Sequence, residues 1–369
     1  MEVRTMIDTM GVILTANNDC EMGELTRVRS VAAIPFAGRY RLVDFVLSNM
    51  VNSGIINVGV ATDFNYQSLM DHLGSGKPWG LARKKYGLTF LPPFQANNSS
   101  ADERLKMLTS IIHYIKRSQQ KYVVVADCNN VCNMTFDSVV EQHIESGAEL
   151  TIIYAETTND GGMFVSVDDE GNVKGLTDKL KGKMGKKPIG YYVFTKDMFV
   201  NVLERCQMLG KKDFFNDLIG YYIARNKVMG YRFDGYIRKI SDINSYYDVS
   251  MDLMHSDVRK HLFFGDDRVL TKVKDKCPTR YLFNADVSNS MVADGCEIDG
   301  TVKNSILFRG VKIAKGAVVE NCIIMQNTVV GENVRLSCCI IDKDCVILKN
   351  RELVGQEDFP IVVGKRRTI

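Results

Sequence analysis

The sequence predicts an α/β domain, built on a mostly parallel sheet with helices on both faces, followed by a parallel β-helix. Three observations carry this. Up to about residue 260, short apolar β-branched runs alternate with apolar stripes at helical spacing. After about residue 285 a six-residue unit recurs. The chain has 369 residues of ordinary hydrophobic content, enough for two or more domains with full cores.

The elements follow in order. MGVILTA (10–16) is a strand. In RLVDFVLSNMVNSG (41–54), Leu42, Phe45, Val46 and Met50 share a helical face, and Gly54 supplies the stop. INVGVAT (56–62) is a strand, and ADERLKMLTSIIHYIKRS (101–118) is one helix. YVVVAD (122–127) is a strand buried on both faces. FDSVVEQHIESG (136–147) is a helix ending at Gly147, and ELTIIYAE (149–156) is a strand.

The repeats read CEIDGTV, VKIAKGAV, NTVVGENV and CIIDKDCV. Ile298-Asp299-Gly300, Ile313-Ala314-Lys315, Val330-Gly331-Glu332 and Ile341-Asp342-Lys343 mark successive copies. Each aliphatic points into a coil whose turns stack on one another. A chance run in a β-sandwich fits four in-phase copies poorly. These patterns place one domain at residues 1–261, a connector without sustained period at 262–285 lying along both domains, and the coil at 286–369.

Composition excludes several classes. A formal net charge of +3 over this length is no nucleic-acid signature. No apolar run reaches the ~20 residues a membrane helix needs. The N-terminus lacks the regions of a signal peptide, so a cytoplasmic protein is expected. Ten scattered cysteines read as reduced thiols acting as small hydrophobes. Neither Cys338-Cys339 nor Cys128/Cys132 has zinc-site spacing, and no metal is expected.

The segment RSVAAIPFAGRYRLVDFVLSNMVNSGI (29–55) resembles the N-terminal signature of the glucose-1-phosphate adenylyltransferase (ADP-glucose pyrophosphorylase) family. IGYYVFTKDMF (189–199), DFFNDLI (213–219) and SYYDVSMDLM (245–254) resemble further family segments in order. The resemblance implies a Rossmann-like nucleotidyltransferase domain followed by a left-handed β-helix. It also implies transfer of AMP from ATP to glucose 1-phosphate. That reaction needs a glycine-rich loop, a basic residue for the phosphates and carboxylates for Mg²⁺.

Measured against the resemblance, this chain lacks those parts. Where the family has a glycine-rich first loop, ANNDCEMGEL (16–25) brings Asn17, Asn18 and Asp19, and Glu21 falls where the catalytic arginine belongs. An arginine-to-glutamate exchange swings the local Coulomb energy by up to ~8 kcal/mol before screening. In RSVA (29–32), Arg29 stays but Val31 replaces the family's lysine. The metal-binding Gly-Asp-His becomes Cys128-Asn129-Asn130, and the second metal aspartate becomes Lys239 in RKIS (238–241). A two-residue slip would offer Asp127 instead, but about 6.6 Å back along the strand. By the same resemblance, Lys179 of TDKL keeps a sugar-phosphate lysine, while Pro188 crowds the glucose position. Arg39 and Arg41 match an effector-binding segment, which Arg335 could join.

Scaffold kept and chemistry lost resembles the GlgD-type second subunit found beside the catalytic one in some bacteria. The expectation is a non-catalytic regulatory subunit, inactive alone and binding no cofactor itself. It would pair with a catalytic homologous subunit that uses Mg²⁺, in a mixed tetramer responsive to a phosphorylated or nucleotide effector. The alternatives are an active adenylyltransferase and a free-standing sugar-phosphate or nucleotide sensor. A hexapeptide acyltransferase is disfavoured, because the last histidine, His261, precedes the repeats.

Overall fold

The computed structural model describes residues 8–15, 20–62, 65–92, 102–158, 161–179, 184–225 and 227–369. Its contacts group into two units that interleave along the chain. The first holds residues 1–18, 45–239 and 266–270; the second holds 19–44, 240–265 and 271–369.

The first unit is built on a seven-stranded sheet. Its order is Val228–Arg232, Leu150–Thr157, Gly185–Thr195, Tyr122–Asp127, Thr9–Leu14, Asn57–Ala61, Gly87–Leu91. Every neighbouring pair is parallel except the two made by Gly185–Thr195, which runs against both of its partners. Val123, Val124 and Val125 are fully buried, as a strand with both faces covered requires. Gly54 and Gly147 follow their helices at positive φ, where only glycine is free of strain.

The helix expected over 101–118 is two helices, Glu103–Ser110 and Ile112–Arg117. The hydroxyls of Thr109 and Ser110 donate back to the carbonyls of Leu105 and Met107 at 2.9 and 2.7 Å. Such back-bonding competes with the helical ladder and bends it, and Ile111 leaves helical geometry with φ −104° and ψ 8°.

His143, on the helix Asp137–Ser146, is fully buried between Thr151 Oγ1 at 2.8 Å and Thr195 Oγ1 at 3.1 Å. Burial lowers its pKa to about 4. The unfolded chain therefore binds the extra proton first as pH falls. Stability is complete above the ordinary value near 6.5, declines as pH drops from there towards 4, and levels off below. The loss attributable to this group is about 3 kcal/mol. Urea unfolding at stepped pH checks it: His143→Gln should flatten the profile between pH 6.5 and 4, and an unchanged slope contradicts the assignment.

The second unit carries the coil. Three parallel five-stranded sheets wrap it, beginning at Arg280–Tyr281, Asp286–Ser288 and Met291–Val292, an arrangement consistent with a left-handed β-helix. Ile298, Ile313, Val330 and Ile347 stack in one sheet, all buried inside. The fourth copy marked from the sequence, Ile341, belongs to another sheet, above Ile324 and Leu307. A hexapeptide makes one side of the coil, so the vertical neighbour lies a whole turn away, as in Ile306 to Ile323 to Ile340.

Corners of the coil use left-handed residues. Asn289, Asn304 and Asn321 all have positive φ, and their amides hydrogen-bond in a ladder at 2.9 and 2.5 Å. Ile306, Ile323 and Ile340 are fully buried, though they stand outside the cluster of side chains that fills the coil. Tyr247, on the helix Ile243–Met251, donates to Asn321 O at 2.7 Å, and Tyr246 donates to Pro35 O at 2.7 Å. The ten cysteines are free thiols, eight of them buried.

Candidate functional site

In an open α/β sheet, ligands meet the chain beyond the carboxyl ends of the strands. The strand Tyr122–Asp127 ends at Asp127, and after a turn Asn130–Cys132 pairs antiparallel with Ile237–Lys239. The register sets Lys239 opposite Asn130. The fold thus brings together Asn129 and Lys239, two positions 110 residues apart in sequence. Asn129 and Asn130 are buried, and Asn130 Nδ2 donates to Ile189 O at 2.6 Å. Burial pushes the neighbouring Cys132 thiol up to about 11.

This donor set does not fit Mg²⁺. The ion takes carboxylates and phosphates in near-octahedral geometry; here an amide and an ammonium stand at the strand ends. Among the described residues no group of three His, Cys, Asp or Glu side chains could hold a metal.

Asp127 is the carboxylate at this strand end. It continues the face of Val123 and Val125, which packs on the helix Glu103–Ser110. Its Oδ2 lies 3.8 Å from Arg104 Nε, and both side chains are 3 % exposed. Gly190, at φ +82°, closes over it: a Cβ there would lie 2.5 Å from Asp127 Oδ2. Asp127 therefore lies inside the protein.

In the second unit, Glu21 is exposed, its N–H donating to Ser241 O at 2.7 Å. Val31 opens a short 3-10 turn and carries no charge. Residues 16–19, where the sequence reading put Asn17, Asn18 and Asp19, lie outside the described residues. Arg29 is engaged elsewhere: its Nη2 donates to both Asp342 oxygens at 2.7 and 3.0 Å, in a bidentate pair 2 % and 0 % exposed.

Residues 10–256 match the family described as nucleotidyl transferase, and residues 278–358 match a GlmU-like, C-terminal hexapeptide region. The chain belongs to the nucleotidyl transferase family. It is 34% identical over 357 residues to the glycogen biosynthesis protein GlgD of Bacillus subtilis, covering 96% of this chain and 95% of that one. The GlgD protein of Geobacillus stearothermophilus is 38% identical over 313 residues, covering 84% and 82%. The glucose-1-phosphate adenylyltransferase of Fervidobacterium nodosum is 32% identical over 351 residues, covering 93% and 84%.

The chain also carries a basic group on its second unit. Arg39 is exposed and Arg41 half-buried. Burial, then Arg41 and Arg29, lower the Lys343 pKa to about 6. Burial and Arg41 also lower Lys274, while burial and Arg39 lower Arg309. The sequence reading missed Lys274, Arg309 and Lys343, which no local motif marks. Arg335 lies on a different sheet of the coil and pairs with Glu352 at 3.6 Å. Lys179 is exposed, its N–H bonded to Thr177 Oγ1 at 3.3 Å. No helix among the described residues is long and apolar enough to cross a membrane.

Proposed function

We propose that this protein is a non-catalytic, regulatory subunit of a hetero-oligomeric glucose-1-phosphate adenylyltransferase in bacterial glycogen biosynthesis. One observation carries the reading: the strand residue Lys239 pairs opposite Asn130, next in sequence to Asn129, where the family's chemistry calls for two carboxylates. The names of the most similar relatives, GlgD proteins and adenylyltransferases, support the pathway.

A subunit without its own chemistry acts by binding one shape of its partner better than another. The partner is a catalytic homologue, which supplies the Mg²⁺ site, in a cytoplasmic mixed tetramer. Arg39 and Arg41, with Lys274 beside them, offer a phosphorylated or nucleotide effector a cationic surface. Lys179 is the residual sugar-phosphate contact.

Co-expression with the catalytic homologue of the same organism tests this. The two chains should co-purify, and the mixture should differ from the catalytic chain alone in rate or effector response. Separate elution with unchanged kinetics refutes the reading.

A further inference from the structure

The last two turns of the coil stack like charges at one corner. Ile341 pairs with Val363, and the Arg366 N–H donates to Lys343 O at 3.0 Å. Continued by two residues, this register sets Lys365 beside Lys343, one rung away, where two ammonium groups oppose each other. On the other side Ile324 pairs with Ile341, and the Asp344 N–H donates to Gln326 O at 2.9 Å, so Gln326 is the rung neighbour of Lys343. Arg41 and Arg29 add their positive charge, while the adjacent carboxylate, Asp342, is held by Arg29. Lys343 is half-buried, and its Nζ has no hydrogen-bond or ion-pair partner among the described residues. Arg29 Nη1 and Gln326 Oε1 are likewise buried without a partner there.

We propose that Lys343 is a modification site that takes up carbon dioxide as a carbamate. The Nζ lone pair attacks the carbon of CO₂ and forms an N–C bond. One C–O π pair moves onto oxygen, and one proton passes from nitrogen to water. The side chain thereby changes from a cation among cations to an anion among them, and the opposed pair with Lys365 becomes an attractive one. A carbamate offers two oxygens and one N–H, the complement of the orphan donor Arg29 Nη1 and the orphan acceptor Gln326 Oε1. An external inorganic anion would offer acceptors alone. Burial, then Arg41, Arg29 and Lys365, lower the Lys343 pKa to about 6, with Asp342 opposing them. At about pH 7.5 Lys343 is therefore mainly the nucleophilic amine, a form that an ordinary lysine takes about one time in a thousand. The proposal goes beyond the regulatory reading and stands without it, because the modification is read on the isolated chain.

The test uses the full chain at about pH 7.5 in ¹³C-bicarbonate, which supplies dissolved CO₂. Alkylation with triethyloxonium fixes carbamates, and peptide mass spectrometry locates them. Label should concentrate on Lys343, at least about tenfold above any exposed lysine. At constant dissolved CO₂ it should fall as pH drops below about 6, where the ammonium form takes over. Lys343→Gln should remove it. Arg41→Gln should raise the CO₂ needed for half-labelling about tenfold, and Arg41→Lys should restore the wild-type value. Folded wild type without label on Lys343, or with label spread evenly over exposed lysines, overturns the proposal, and this arm decides even where a variant fails to fold. Inorganic phosphate bound to a chain that never labels at Lys343 would assign the cluster to an external anion and equally overturn it.

Discussion

Arg29→Ala is expected to destabilise the protein by about 3–5 kcal/mol, more than any other single change considered. The pair joins the N-terminal segment to the coil within the second unit, across 313 positions of sequence. Removing the guanidinium leaves Asp342 fully buried without its bidentate cation. One Asp342 oxygen keeps the Lys343 N–H at 2.7 Å, which does not replace a bidentate cation. The double replacement Arg29→Met with Asp342→Leu removes both charges and should regain much of the loss, as apolar substitutes for buried pairs commonly do. Urea unfolding of the three proteins measures this. A loss under about 1 kcal/mol for Arg29→Ala would show that the pair does not anchor the segment.

The second large effect is a gain. Asn129→Asp combined with Lys239→Asp is expected to raise Mn²⁺ affinity above that of the natural chain. The pair of changes moves the local charge by three units. At about 6 Å and an effective dielectric near 20, each unit is worth about 5.5 kcal/mol against a divalent ion. Salt and solvent reduce this; a quarter of the sum is still about 4 kcal/mol, or nearly 10³-fold. A gain of about 100-fold or more in Mn²⁺ affinity, by titration or paramagnetic resonance, is the expected result. The variant should remain unable to form ADP-glucose, because Glu21 and Val31 are unchanged. A folded double variant with no gain would mean that the two positions do not converge on a metal site.

Much of this was readable beforehand, and the limits have physical causes. The Val123–Val125 run announced a strand covered on both faces because burial on both sides removes the polar alternation. Gly54 and Gly147 marked helix ends because a left-handed residue must follow there. Local chemistry missed the break at Ile111: the apolar period runs on through it, and only the hydroxyls of Thr109 and Ser110 hint at the interruption. The hexapeptide unit was plain, but its stacking was not. Ile341 sits six residues before Ile347, and only the closed turn decides which of them stands above Val330.

The site divides in the same way. Asn129 and Lys239 could each be named by resemblance, whereas their juxtaposition needed the pairing of two short strands. Arg29 was legible only as a retained family residue; its partner Asp342, 313 positions along the chain, was not. Arg104 carried no signal at all: one arginine on an amphipathic helix is ordinarily a solvated one. Arg335 was grouped with Arg39 and Arg41 by resemblance; in the structure it stands on the coil strand Arg335–Ser337 and pairs with Glu352.

The claim beneath all of this is that the strand-end charge is wrong for a metal-bound triphosphate. Its most direct test is ADP-glucose synthesis by the purified, folded chain alone, with ATP, glucose 1-phosphate and Mg²⁺. No product above the enzyme-free control is predicted, however much protein is added. Steady Mg²⁺-dependent turnover, abolished by mutating Asn129 or Lys239, would contradict the account.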